Sequence, residues 1–88
     1  MAAVPPNLEP QIKKIIVERL FLEVDPPSLK SDERLTESYG VDSVRLFDMI
    51  VGLEEDFQIS FEDDELILDN FDTVQSIVER VAAKIQAL

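Results

Sequence analysis

Apolar residues recur at three- and four-residue steps in three separate stretches, a period that fits one face of an α-helix and not a strand. Ile12, Ile15, Ile16, Leu20 and Val24 make the first stripe. Leu46, Met49, Ile50, Leu53 and Phe57 make the second, and Val74, Ile77, Val78, Val81 and Ile85 the third. Each stripe is too narrow to be buried on all sides, so the three must face one another. In 88 residues this leaves room for one core, and the chain is read as a single domain over 1–88 with a flexible start at 1–7. The expected fold is all-α: a small four-helix bundle of three longer helices and one short third helix.

Local signals set the expected boundaries. Asn7 can cap the first helix and Pro10 falls in its first turn, so that helix should span about 8–24. Asp25-Pro26-Pro27 then stops it. A long connection, 25–42, follows, with Leu29 and Leu35 as apolar anchors; a loop of this length in a small domain usually has a function. The second helix should start at Asp42 or Ser43, after Gly40, and run to about Phe57. Ile59 and Phe61 read as anchors of an extended connector. Acids at the start of "DDELILDNF" suit a short helix over about 64–69. Asp72 can cap the last helix, about 73–87.

Charge narrows the range of functions. Nineteen acids oppose eight bases, for a net charge of −11. Eleven of the acids lie between Leu46 and Glu79, a stretch without Lys or Arg. Such a surface repels phosphate backbones and anionic membranes, so neither nucleic acid nor membrane is an expected partner. It steers basic proteins towards itself, or serves only as a solvated face. No apolar run is long enough to cross a bilayer, and "MAAVPPNLEP" has neither the basic flank nor the apolar stretch of a secretory signal. A monomeric cytoplasmic protein is the expectation.

The chain contains no His and no Cys. That removes the Ser-His-Asp and Cys-His arrangements, together with His- or thiolate-held zinc. Two glycines, Gly40 and Gly52, cannot build a phosphate-cradling loop. The acidic run "EEDFQISFEDDE" lacks the register and the glycine of a calcium loop. No enzyme activity and no metal site are expected.

One serine nonetheless occupies a prominent place, in "YGVDSVRLF". Ser43 can cap the second helix, a contribution of about 1 kcal/mol, and on spacing alone that is the favoured reading. Asp42 can do the same and leave the Ser43 hydroxyl free beside the positive end of the helix, where a phosphate or phosphodiester is favoured. The same helix carries Val44, Phe47 and Val51 on a second face, rimmed by Asp48, Glu54 and Glu55. So small a bundle cannot bury both faces, which makes the second a candidate partner surface. If Ser43 is only a cap and stays unmodified, the chain is an acidic helical adaptor.

The run "YGVDSVRLFDMIVGLEEDF" resembles the acyl carrier protein family, whose pattern is Gly-x-Asp-Ser-Leu opening a helix that ends in Leu-Glu-Glu-x-Phe. Here it reads Gly40-Val41-Asp42-Ser43-Val44 and Leu53-Glu54-Glu55-Asp56-Phe57. Further matches are "VDPP" after the first helix, "DERL" before the motif, and "TVQSIVERV" opening the last helix. The resemblance implies that Ser43 receives 4′-phosphopantetheine from coenzyme A by the action of a separate phosphopantetheinyl transferase. The thiol absent from the sequence then comes with the cofactor, and cargo is held as a thioester. It further implies that Asp42 and the second helix are read by acyl-loading and acyl-transferring enzymes with basic docking surfaces. Val44, Phe47, Asp48, Val51, Glu54 and Glu55 are the candidate recognition residues. Val44 stands in place of the usual Leu, and Arg45 where common fatty-acid carriers tend to have an acid. "NFDTVQSI" resembles carriers of more specialised pathways. The expected function is therefore transport of acyl groups in fatty-acid or specialised acyl and lipid biosynthesis, with an aminoacyl or peptidyl carrier as the alternative.

Overall fold

In the computed structural model, which describes residues 3–88, the chain is an all-helical bundle. Its α-helices are α1 (Leu8–Leu20), α2 (Leu35–Ser38), α3 (Ser43–Phe57) and α4 (Val74–Gln86). Three short 3-10 turns, Pro26–Ser28, Asp63–Glu65 and Leu68–Phe71, complete it, and the described residues contain no strand. The three apolar stripes meet as their period requires. Ile12, Ile16 and Leu20 of α1, Leu46, Met49, Ile50 and Leu53 of α3, and Val74, Ile77, Val81 and Ile85 of α4 form one buried cluster. Ile15, Val24, Phe57 and Val78 pack partly buried against it.

Connections add to this core as well as joining its helices. Leu29 and Leu35 are buried, as expected of anchors in the long connection, and so are Ile59 and Phe61 in the extended segment after α3. Phe61 meets Phe71 edge to face with ring centroids 5.0 Å apart, and Phe71 is fully buried. Burying a ring of that size contributes about 2–3 kcal/mol. Lys84 closes the outside of this pair: its Nζ lies 2.6 Å from Glu65 Oε2 and 5.9 Å from the centre of the Phe61 ring. Of the N-terminal segment expected to be flexible, residues 1–2 lie outside the described residues. Val4 packs against the core, and Pro5 C=O accepts from Leu8 N–H at 3.2 Å.

Expectations for three elements are corrected. First, α1 ends at Leu20, four residues before the end of its apolar stripe. Phe21 turns left-handed at φ 54°, and Leu22 N–H donates back to Val17 C=O at 3.1 Å. Leu22 and Val24 still reach the core because the chain folds back across it, so apolar spacing continued past the helix. Asn7 makes no side-chain cap to α1. Second, the helix expected over 64–69 is replaced by the two 3-10 turns Asp63–Glu65 and Leu68–Phe71, and the one short α-helix is α2, inside the long connection. So short a segment does not offset helix nucleation by itself, and it lacks the cap from a distant residue that α2 receives from Asp72. Local bonds also compete there: Glu65 carboxylate accepts from Glu62 N–H at 2.7 Å, and the Asn70 amide donates to Glu65 C=O at 2.9 Å. Third, α4 is capped by Thr73, whose Oγ1 accepts from Ser76 N–H at 3.1 Å, and not by Asp72.

Candidate functional site

The start of α3 is assembled from both sides of the molecule. Asp72 is almost fully buried. Its backbone C=O accepts from Leu35 N–H at 2.7 Å, and its carboxylate accepts from Thr36 N–H at 2.9 Å and Thr36 Oγ1 at 2.8 Å. Leu35 and Thr36 are the first two residues of α2, so Asp72 caps α2 across the bundle instead of capping its own neighbour α4. Arg34 Nε donates to the same carboxylate at 2.8 Å, and its other nitrogens reach Asp69 at 3.1 Å and Glu37 at 3.9 Å. Burial pushes the Asp72 carboxyl up, but the Thr36 amide, the Arg34 guanidinium and the Thr36 hydroxyl together outweigh it and hold it below the usual carboxylate range.

From this anchor the chain has few residues in which to reach α3. Tyr39 ends α2 and is held by its hydroxyl donating to Glu33 at 3.2 Å. Gly40 takes φ 63°, a left-handed turn in which a side chain would be strained. Val41 then drops into the core. Asp42 follows in extended conformation, its carboxylate accepting from Arg45 N–H at 2.9 Å and its C=O from Leu46 N–H at 3.0 Å. Of the two candidate caps, Asp42 takes the role. Ser43 is the first helical residue, exposed, with its hydroxyl making no bond to the chain among the described residues. It thus sits free at the positive end of a 15-residue helix, a setting that fits a phosphodiester on its oxygen.

The second face of α3 stays in water. Val44 is 76% exposed, Val51 46% and Phe47 40%, so the apolar patch expected from the spacing is present. The acids around it differ in kind. Asp48 is exposed and joins no ion pair among the described residues. Glu54 turns inward, its carboxylate accepting from Phe61 N–H at 2.9 Å, and so fixes the connector that follows α3. Glu55 lies 3.9 Å from Arg19, whose guanidinium crosses α3 over Gly52. A β-carbon at Gly52 would stand 2.5 Å from Arg19 Nε, so the glycine in mid-helix marks the close approach of that side chain. Two of the three candidate acids therefore already have intramolecular partners.

The sequence reading missed Arg34, Thr36 and the true role of Asp72. Their partners stand 36 and 38 residues away, and no local pattern encodes a pairing of that range. Among the described residues no helix is long and apolar enough to cross a membrane, and no group of three or more acids converges as a metal site.

A family model described as "Phosphopantetheine attachment site" matches residues 11–81. That span runs from the first turn of α1 to the middle of α4 and takes in Arg34, Thr36 and Asp72, the turn at Gly40 and all of α3. The chain belongs to this family: it is a carrier protein of the acyl carrier protein family, whose cofactor is a covalently attached 4′-phosphopantetheine.

Proposed function

We propose that Ser43 carries the cofactor and that the protein shuttles acyl groups between enzymes of fatty-acid or specialised acyl and lipid biosynthesis. The observation that supports this reading most is the division of labour at the start of α3: Asp42 caps the helix, and the Ser43 hydroxyl is exposed and unused. The bound cofactor supplies the thiol on which cargo is held as a thioester. The chain needs no activating base of its own, because a phosphopantetheinyl transferase supplies one. In that transfer the Ser43 Oγ–P bond forms as the diphosphate bond of coenzyme A breaks. Adenosine 3′,5′-bisphosphate leaves, and the hydroxyl proton passes to the enzyme.

What the chain contributes is placement and recognition. The rigid approach through Tyr39, Gly40 and Val41 presents the hydroxyl at one position, and the helix end favours the negative phosphodiester. Asp42, one residue away, is of the same sign as the phosphodiester; its bond to Arg45 N–H turns part of that charge into the helix. Val44, Phe47 and Val51 offer an apolar seat to partner enzymes, and Asp48 is the recognition acid without a competing internal partner. Exposed charge contacts of this kind give fast encounter and fast release, which suits a shuttle.

The test is the intact mass of the protein after incubation with coenzyme A and a broad-specificity phosphopantetheinyl transferase. One phosphopantetheine adduct is expected on the wild-type chain and none on Ser43→Ala. An adduct that persists in the variant, or none on the wild type, overturns the assignment. Loading of the modified protein by purified acyl- and aminoacyl-activating ligases separates an acyl carrier from an aminoacyl or peptidyl one. Asp48→Lys is expected to slow modification, more so at low salt; equal rates remove Asp48 from the recognition surface.

A further inference from the structure

On the side of α3 away from Phe47 lies a feature that carrying cargo does not explain. Phe21 is 79% exposed, the most exposed large apolar side chain among the described residues, and its backbone is left-handed at φ 54°. A bulky aromatic residue rarely adopts that conformation, and glycine would adopt it without strain. Burial does not account for its presence, because the ring is in water. Phe21 lines an open groove of about 300 Å³ between the end of α1 and the start of α3, together with Glu23, Tyr39, Gly40, Val41 and Arg45.

Arg45 is the only base between Arg34 and Arg80. The six ion pairs among the described residues use Lys14, Arg19, Arg34 and Lys84, but not Arg45. Asp48 stands one helical turn away and Glu23 lines the same groove, yet neither closes on it. Arg45 is the one base among the residues lining the groove, and without an ion pair among the described residues it is complementary to a carboxylate from outside the chain.

Location then says which partner supplies it. Val41 and Arg45, two residues on either side of Ser43, both line the groove. An enzyme that binds the Ser43 hydroxyl must cover the residues around it, since a specific interface buries about 800 Å² on each partner. The geometry points to the groove as part of the docking surface for the phosphopantetheinyl transferase that modifies this chain. That enzyme sets a carboxylate against Arg45 and an apolar side chain against Phe21, while a base meets Asp48. The partner surface is thus mixed in sign rather than uniformly basic, and Arg45 selects it against transferases that present only bases. This inference rests on Ser43 being the modified residue.

The experiment uses full-length apo protein, coenzyme A and, of several purified transferases, the one with the highest kcat/KM for the wild-type chain. KM for the carrier and kcat are measured for wild type, Arg45→Glu and Phe21→Gly. Arg45→Glu should raise KM roughly tenfold, as loss of a desolvated charge pair does, with kcat little changed, and the difference should shrink in high salt. Misfolding cannot produce that result, since a glutamate in the first turn favours the helix. Phe21→Gly should raise KM independently of salt while its melting temperature holds or rises, because glycine relieves the left-handed strain. An unchanged or lower KM for Arg45→Glu overturns the inference. So does a Phe21→Gly variant that melts lower and keeps the wild-type KM, which would make the ring a folding element. Absence of any modification of the wild type strikes the proposed function instead.

Discussion

Asp42 and Asp72 each precede a helix in the sequence, yet they do different work. Asp42 is exposed and caps the helix that follows it, through a bond to an amide three residues on. Asp72 is buried and leaves its own helix to Thr73; it caps α2, which lies 36 residues back along the chain, and holds Arg34 as well. The first bond is local and survives wherever α3 forms. The second exists only when α2 and the start of α4 have met, so it reports tertiary structure. A local cap can stay in water because its bond is easily exchanged. A buried carboxylate must have its hydrogen-bonding capacity met, and here the Thr36 amide, the Thr36 hydroxyl and Arg34 meet it.

The largest expected effect tests the buried member. Asp72→Ala should cost about 2–3 kcal/mol in urea denaturation, because it leaves the Thr36 amide and the Arg34 Nε–H without their partner. Amide exchange should accelerate from Leu35 to Val41, the segment that delivers Ser43. A cost no greater than that of losing an ordinary surface cap would erase the distinction between the two aspartates.

Acid sharpens the same contrast. The folded state holds the Asp72 carboxyl below its ordinary value of about 4. On acidification the unfolded chain therefore takes up the proton first. The stabilisation is complete above about pH 4 and is lost as pH falls through the lower folded value. The stability gap between wild type and Asp72→Asn, followed by denaturation at a series of pH values, should be constant near neutrality and narrow below about pH 4. A gap that stays the same down to pH 2 would assign the effect to shape and not to charge.

Asp42→Ala should cost less, about 1 kcal/mol, the usual magnitude of a lost N-cap. If Ser43 is the modified residue, the effect on its modification should exceed what the small loss of folded protein explains, since Asp42 adjoins Ser43 in the chain. The smallest change separates these two roles. Asn caps about as well as Asp, so Asp42→Asn should shift stability by only a few tenths of a kcal/mol. If its modification rate by mass spectrometry also matches wild type, Asp42 acts as a cap alone; a slower rate makes its charge part of what the transferase reads.

Much of this molecule is legible locally. The period of the apolar stripes gave three helices and eleven of the eighteen buried apolar residues, because a helix has only one face to bury. Gly40-Val41-Asp42-Ser43 marked the start of α3 to within one residue and left open which of Asp42 and Ser43 caps it, since a turn and a cap each demand particular side chains. The exposed Val44, Phe47 and Val51 could be counted as surplus to a core of this size.

Tertiary structure decided the rest. It ended α1 at Phe21 although the apolar spacing continued, because residues 22–24 reach the core from a bend as readily as from a helix. It turned Glu54 and Glu55 from free surface acids into partners of Phe61 N–H and Arg19, and left Asp48 and Arg45 without an ion pair among the described residues. It moved Asp72 from the helix beside it to one 36 residues away. Periodicity and capping are interactions over three or four residues, and sequence spacing encodes them directly. Which of two carboxylates finds a distant amide depends on how the packed helices bring the chain together, and no spacing records that.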